Sequence, residues 1–214
     1  MDRSRIGIVI PALNEAATIG AIVRRAAAYG IPIVVDDGSV DDTAYLARRA
    51  GAVVVSHGQN RGYDSALSSG FKKAAELGSE VIITLDADGQ HDPALLKQFV
   101  DRMDAGADVV VGVRSRRQRF AEHLFGWYAS LCWGIKDPLC GLKAYRTHAY
   151  EALGHFDSYQ SIGTELLIFA ARNGYRLAQT HFNVGERKDQ PRFGRMLASN
   201  LRIIRAMLLS MWRL

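Results

Sequence analysis

The sequence predicts an α/β fold with a mainly parallel sheet and helices on both faces. Short runs rich in Val and Ile alternate with segments whose apolar residues recur at helical spacing. The runs are almost continuously apolar, as strands covered on both faces are, and short links join them to the helical segments. At 214 residues and 48% hydrophobic composition, the chain can bury a full core and is most simply one domain.

In order, strands are expected over residues 6–10, 33–35, 53–55, 81–85 and 109–112. Helices are expected over 16–28, 42–50, 64–77 and 93–104, the last started by Asp92 as a cap and Pro93 in the first helical position. After residue 113 the rhythm changes. A basic stretch (114–119) leads into an aromatic-rich helix (120–133), a strand over 142–145, and helices over 147–154 and 162–173. An extended segment (175–184) precedes a long helix over 193–213. On a helical wheel Leu201, Ile203, Ile204, Met207 and Leu208 share one half, while Arg202 and Arg205 lie on the other. Residues 1–191 therefore read as the main domain. Residues 192–214 read as a basic amphipathic helix that belongs to it or meets a membrane, a partner or a second copy.

Charge narrows the class. The net charge is +5, yet arginines crowd into Arg114, Arg116, Arg117 and Arg119 and again beyond Arg187. That asymmetry favours a polyanionic partner. Acidic loops and the lack of interleaved aromatic and basic strand residues count against nucleic acid. No G-x-G-x-x-G follows the first strand, which disfavours a dehydrogenase. Cys132 and Cys140 lack C-x-x-C spacing and read as free thiols of a reducing compartment. No signal peptide and no apolar run of the ~18 to 20 residues needed to span a bilayer is visible. The expected location is cytoplasmic, peripheral to a membrane.

Three loops that follow apolar runs carry the chemistry: P-A-L-N-E (residues 11–15), D-D-G-S-V-D-D-T (36–43) and D-A-D-G-Q-H-D-P (86–93). In open α/β sheets, ligands bind beyond the carboxyl ends of the strands, where strand order reverses. Carboxylates gathered there repel a phosphate unless a divalent cation stands between them. Asp86 and Asp88, two residues apart, are the expected metal ligands together with Gln90, and His91 is a ligand or a supporting residue. The cofactor expected is Mg²⁺ or Mn²⁺, joining carboxylate to a nucleotide diphosphate. Asp37 and Glu15 suit hydrogen bonds to a base or ribose. Gly62 suits a positive φ or a close backbone approach.

These motifs, with N-R-G-Y-D-S-A-L-S-S-G-F, G-V-R and D-P-L-C-G-L-K-A-Y-R, resemble the family 2 inverting glycosyltransferases of GT-A fold. The last motif, G-T-E-L-L-I-F-A-A-R-N-G-Y and a late E-R-K are most similar to the polyprenyl-phosphate (dolichyl-phosphate) mannose and glucose synthases. Leu13 stands where the family usually has an aromatic residue. The resemblance implies a nucleotide-sugar donor, GDP-mannose or a UDP-hexose, and a polyprenyl phosphate acceptor. Pro11, Glu15 and Asp37 would meet the nucleoside, and Asp86, Ala87, Asp88 and Gln90 the metal and diphosphate. Arg114 and Arg187 would reach donor or acceptor phosphate.

A phosphate monoester is already an anionic nucleophile, so Arg116, Arg117 and Arg119 beside Arg114 would serve as its cradle. Glu165 is the base candidate should the acceptor instead be a hydroxyl on a glycolipid, polysaccharide or protein. A sugar-nucleotide nucleotidyltransferase, the other enzyme class considered, normally has a Gly- and Arg-rich loop where this chain has P-A-L-N-E.

Overall fold

The computed structural model describes residues 1–89, 91–115, 119–158, 160–183 and 196–212. Strands β1 (Ile6–Ala12), β2 (Ile31–Asp36), β3 (Val53–Ser56), β4 (Val81–Thr84), β5 (Val109–Arg114), β6 (Lys143–Arg146) and β7 (Leu177–Phe182) form one sheet in the order β3-β2-β1-β4-β6-β5-β7. Every expected strand is present. β6 alone runs antiparallel to its neighbours, pairing Thr84 with Lys143 and Val111 with Lys143. The chain enters β6 at the end where β4 leaves the sheet, which brings residues 137–142 beside the acidic loop at 86. Thr84 Oγ1 fastens that junction, donating to the Gly141 carbonyl at 2.6 Å and accepting the Lys143 N–H at 3.1 Å.

One face is covered by α1 (Ile19–Ala26), α2 (Thr43–Arg49) and α4 (Leu96–Asp104), with Ile8, Ile10, Ile22, Leu96 and Phe99 buried between. The other carries α3 (Tyr63–Glu76), α5 (Phe120–Trp133), α6 (Thr147–Leu153), α7 (Glu165–Arg172) and α8 (Met196–Trp212). Here Phe71 packs on Tyr145 with ring centroids 5.7 Å apart and on Phe156 at 4.4 Å. Each such fully buried side chain contributes about 1.5 to 3 kcal/mol. Cys140 is buried and Cys132 exposed, both as free thiols; burial pushes the Cys140 thiol up to about 12, so it is inert.

α1 and α7 start later than their periodicity predicts, each for a local reason. α1 begins at Ile19 because Asn14 sits at φ 53° and the chain at 14–16 bonds to the 36–43 loop instead of to a helical turn. α7 begins at Glu165 because Gln160, Ile162 and Gly163 all have positive φ, and Ser161 Oγ then accepts the N–H groups of Thr164 and Glu165.

α8 corrects the wheel. Its buried stripe is Ile203, Ala206 and Ser210, seated on the domain beside α5, while Leu201 and Leu208 face outward at 67% and 47% exposure. Ser210 falls among the buried residues because its hydroxyl donates back to the Met207 carbonyl at 2.6 Å. Among the described residues no helix is long and apolar enough to cross a membrane.

Candidate active site

Strand order reverses at β1, whose neighbours β2 and β4 lie on opposite sides, so the three acidic loops meet there. The first two are stitched together. Asn14 N–H donates to Ser39 Oγ at 2.9 Å, Val40 N–H returns to Asn14 Oδ1 at 2.9 Å, and Glu15 N–H donates to Thr43 Oγ1 at 2.7 Å. Glu15 is buried, its Oε2 3.2 Å from Thr18 Oγ1. Pro11 lies half-buried in β1 opposite Val35, three residues before this stitching begins.

Asp37 follows β2 directly, with an interior carboxylate. Its Oδ1 accepts from His57 Nδ1–H at 2.7 Å and from the Arg61 N–H at 2.9 Å, and its Oδ2 accepts from the Gly62 N–H at 2.8 Å. Gly62 stands at φ 92° with open space around the position of a Cβ. Its positive φ, and not a close approach, is what turns that N–H toward Asp37. Asp36 accepts the Ser39 N–H and closes the loop at 3.2 Å.

Asp86 and Asp88 lie in the turn after β4, both partly exposed. The Tyr63 hydroxyl donates to Asp86 Oδ1 at 3.1 Å. Burial first, and then the Asp86 charge, push the Tyr63 phenol well above its ordinary value, so it remains a donor. Thr18 Oγ1 holds the turn through the Ala87 carbonyl at 2.8 Å. His91 is buried, its Nδ1 3.5 Å from Asp86 Oδ2 without a hydrogen bond and its ring edge-on to Phe182.

Gly141 completes the cradle: a Cβ there would lie 2.2 Å from Asp86 Oδ2. Among the described residues no three His, Cys, Asp or Glu side chains could by themselves hold a metal ion. Asp86 and Asp88 nevertheless fit a hard cation that takes its remaining oxygens from a diphosphate and water. Gln90 lies outside the described residues.

Of the arginines expected to cradle phosphate, Arg114 and Arg119 are engaged by carboxylates. Arg114 forks onto buried Asp137, Nε to Oδ2 at 2.8 Å and Nη2 to Oδ1 at 2.9 Å, and also meets Glu122 at 3.5 Å. Arg119 donates to Glu122 Oε1 at 3.1 Å. Arg116, Arg117 and Arg187 lie outside the described residues. Glu165 is buried and receives Ser158 Oγ at 2.8 Å, His155 Nε2 at 2.9 Å and the Ser158 N–H. Its carboxylate holds the segment ahead of α7 in place. The sequence reading missed Tyr63, His57, Asp137 and Glu122. Asp137 and Tyr63 had a signal, the first opening the D-P-L-C-G-L-K motif and the second standing in N-R-G-Y-D-S-A.

Residues 7–154 match the family model described as glycosyl transferase family 2. An uncharacterized glycosyltransferase of Mycobacterium tuberculosis is 31% identical over 199 residues, covering 87% of this chain and 88% of that protein. An undecaprenyl-phosphate 4-deoxy-4-formamido-L-arabinose transferase of Yersinia enterocolitica is 34% identical over 172 residues, 71% of this chain and 51% of that protein. Among solved structures, glucosyl-3-phosphoglycerate synthase of Mycobacterium tuberculosis in complex with Mn²⁺, UDP-glucose and phosphoglyceric acid superposes with a TM-score of 0.77 at 25% identity. That match covers 97% of this chain and 79% of that one.

Proposed function

Because the chain belongs to glycosyl transferase family 2, we propose that it is a metal-dependent inverting hexosyltransferase whose acceptor is a polyprenyl phosphate at a membrane surface. The donor is a nucleoside-diphosphate hexose. Asp37 and Glu15 meet its nucleoside, and Asp86 and Asp88 hold the divalent cation at its diphosphate. That cation, when bound, offsets the charge growing on the departing diphosphate. The mycobacterial synthase that shares the fold was crystallised with Mn²⁺ or Mg²⁺ and uridine nucleotides, which supports this half of the reading.

The observation that carries the acceptor is the engagement of Glu165, whose carboxylate is already taken by Ser158 and His155. A hydroxyl acceptor needs a base, whereas a phosphate monoester attacks as an anion and needs positioning and screening. With Arg114 and Arg119 held by carboxylates, Arg116, Arg117 and Arg187 are the candidates to receive that phosphate. An exposed apolar surface supports a lipid acceptor. α5 presents Phe120, Trp127 and Leu131, at 77%, 66% and 73% exposure, along one side, and exposed Leu201 and Leu208 lie on the adjoining α8 with Arg202 and Arg205. The Yersinia relative, whose name includes undecaprenyl phosphate, supports the same class.

A second reading, transfer to a small phosphorylated hydroxyl compound, is favoured by the phosphoglyceric acid bound in the mycobacterial synthase. Incubating the protein with Mn²⁺ and labelled UDP-glucose or GDP-mannose, and with undecaprenyl phosphate or phosphoglyceric acid, separates the two. The expected product is label extracted into organic solvent with the lipid phosphate. Label found only on phosphoglyceric acid would move the acceptor to the second reading.

A further inference from the structure

We propose that His57 is a specificity-determining residue that limits Asp37 to a single hydrogen bond with the base, selecting uracil over guanine. This rests on the reading that Asp37 meets the nucleoside. An ionised carboxylate has about four acceptor sites, two on each oxygen. On Asp37, His57 Nδ1–H and the Arg61 N–H fill both sites of Oδ1, and the Gly62 N–H fills one of Oδ2. One site on Oδ2 remains. Guanine presents adjacent N1–H and N2–H groups that pair with a carboxylate through both oxygens. Uracil presents one N3–H, which a single Oδ2 site satisfies.

Two of the three donors are backbone N–H groups, so among side chains the selectivity depends on His57. The residue is buried, with Nε2 2.9 Å from Ser69 Oγ. Because ionised Asp37 can only accept, Nδ1 carries a proton; Nε2 is then free to accept the Ser69 hydroxyl proton, and the ring is pinned at both ends. The pair His57–Asp37 is buried on both sides, at 5% and 7% side-chain exposure, so water does not readily replace the lost donor.

Asn and Gln divide the two ends of the imidazole. An Asn amide reaches about as far as Nδ1 and can still donate to Asp37, while a Gln amide reaches Nε2 and engages Ser69 instead. The experiment titrates UDP and GDP, each with Mn²⁺, into wild type, His57→Asn, His57→Gln, His57→Leu and Asp37→Ala by calorimetry, with thermal melting of each variant. Wild type is expected to prefer UDP by at least about tenfold, the scale of one charged hydrogen bond. His57→Asn should keep that preference. His57→Gln and His57→Leu, which leave Oδ1 open, should lower it by about tenfold.

If only one of the latter pair folds, it carries the comparison. A preference for UDP that is equal in wild type, His57→Gln and His57→Leu, while Asp37→Ala weakens both nucleotides, overturns the role of His57 and leaves the nucleoside site standing. Equal affinity of wild type for UDP and GDP overturns it as well. Unchanged UDP affinity in Asp37→Ala removes the nucleoside reading itself, and the role of His57 falls with it.

Discussion

Gly141 and Asp86 occupy one space: a Cβ on the glycine would stand 2.2 Å from Oδ2 and 2.9 Å from Cγ of the carboxylate. The contact exists because antiparallel β6 delivers the D-P-L-C-G loop to the end of β4. Gly141→Ala should therefore swing Asp86 away from Tyr63 and abolish the enhancement of nucleotide binding by Mn²⁺, with little loss of melting temperature. Asp88→Asn should have the same effect on binding and on turnover without moving Asp86. Calorimetry with UDP, with and without Mn²⁺, checks both variants. Full metal enhancement in Asp88→Asn would remove the cation from this turn.

Asp137 should matter chiefly for folding. Its carboxylate takes the fork of Arg114, and both groups are largely buried, at 2% and 19% side-chain exposure. Burial lowers and the Asp137 partnership raises the Arg114 value, and the net shift is upward, so the guanidinium stays charged. Asp137→Ala leaves that charge without its main partner and should cost about 3 to 5 kcal/mol. Denaturant unfolding measures it, and a loss under about 1 kcal/mol would show that Glu122 alone compensates Arg114.

Asp64 gives the stability a signed pH dependence. Burial first, and then the charge of Asp157, push its carboxyl from 3.8 up to about 6, and its Oδ1 has no hydrogen-bond partner among the described residues. A folded value above the unfolded one means the fold holds the proton more tightly. The contribution is full below 3.8 and is lost as pH rises through about 6. Asp64→Asn keeps an oxygen for the loop at 162–163 and removes the cost of a buried charge. Its melting temperature should exceed wild type at pH 8, by the equivalent of roughly 3 kcal/mol at most, and match it near pH 4. Parallel melts at the two pH values check the sign; a gain that is larger at pH 4 would reverse it.

Trp127 tests the lipid-facing surface without touching the core. At 66% exposure it contributes little to the fold. Trp127→Ser should keep the melting temperature and UDP affinity of wild type yet bind anionic vesicles several-fold more weakly, because an interfacial aromatic is lost. Added salt should weaken wild-type binding further as the arginines are screened. Vesicle sedimentation reads both effects. Equal sedimentation of variant and wild type would exclude α5 from the contact.

Much of this protein is already determined by the order of its residues. The alternation of apolar runs and helical periods specifies the sheet, since both signals are local: a short continuous apolar run marks a strand covered on both faces, and a 3.6-residue period marks a helix. The acidic turns after residues 10, 35 and 85 mark where a donor and its metal would lie, because a carboxylate ending a buried strand has few structural reasons to be there. Tertiary structure decided what each charge does. Arg114 could not be known to lie on Asp137, 23 residues along, nor Asp37 to be held by His57, 20 residues on. Such pairings depend on which strand ends the fold brings together and in which direction each runs. Nor could periodicity tell which side of α8 is seated. A wheel ranks apolar residues by angle, but the neighbouring helix chose Ile203, Ala206 and Ser210 and left Leu201 and Leu208 outside.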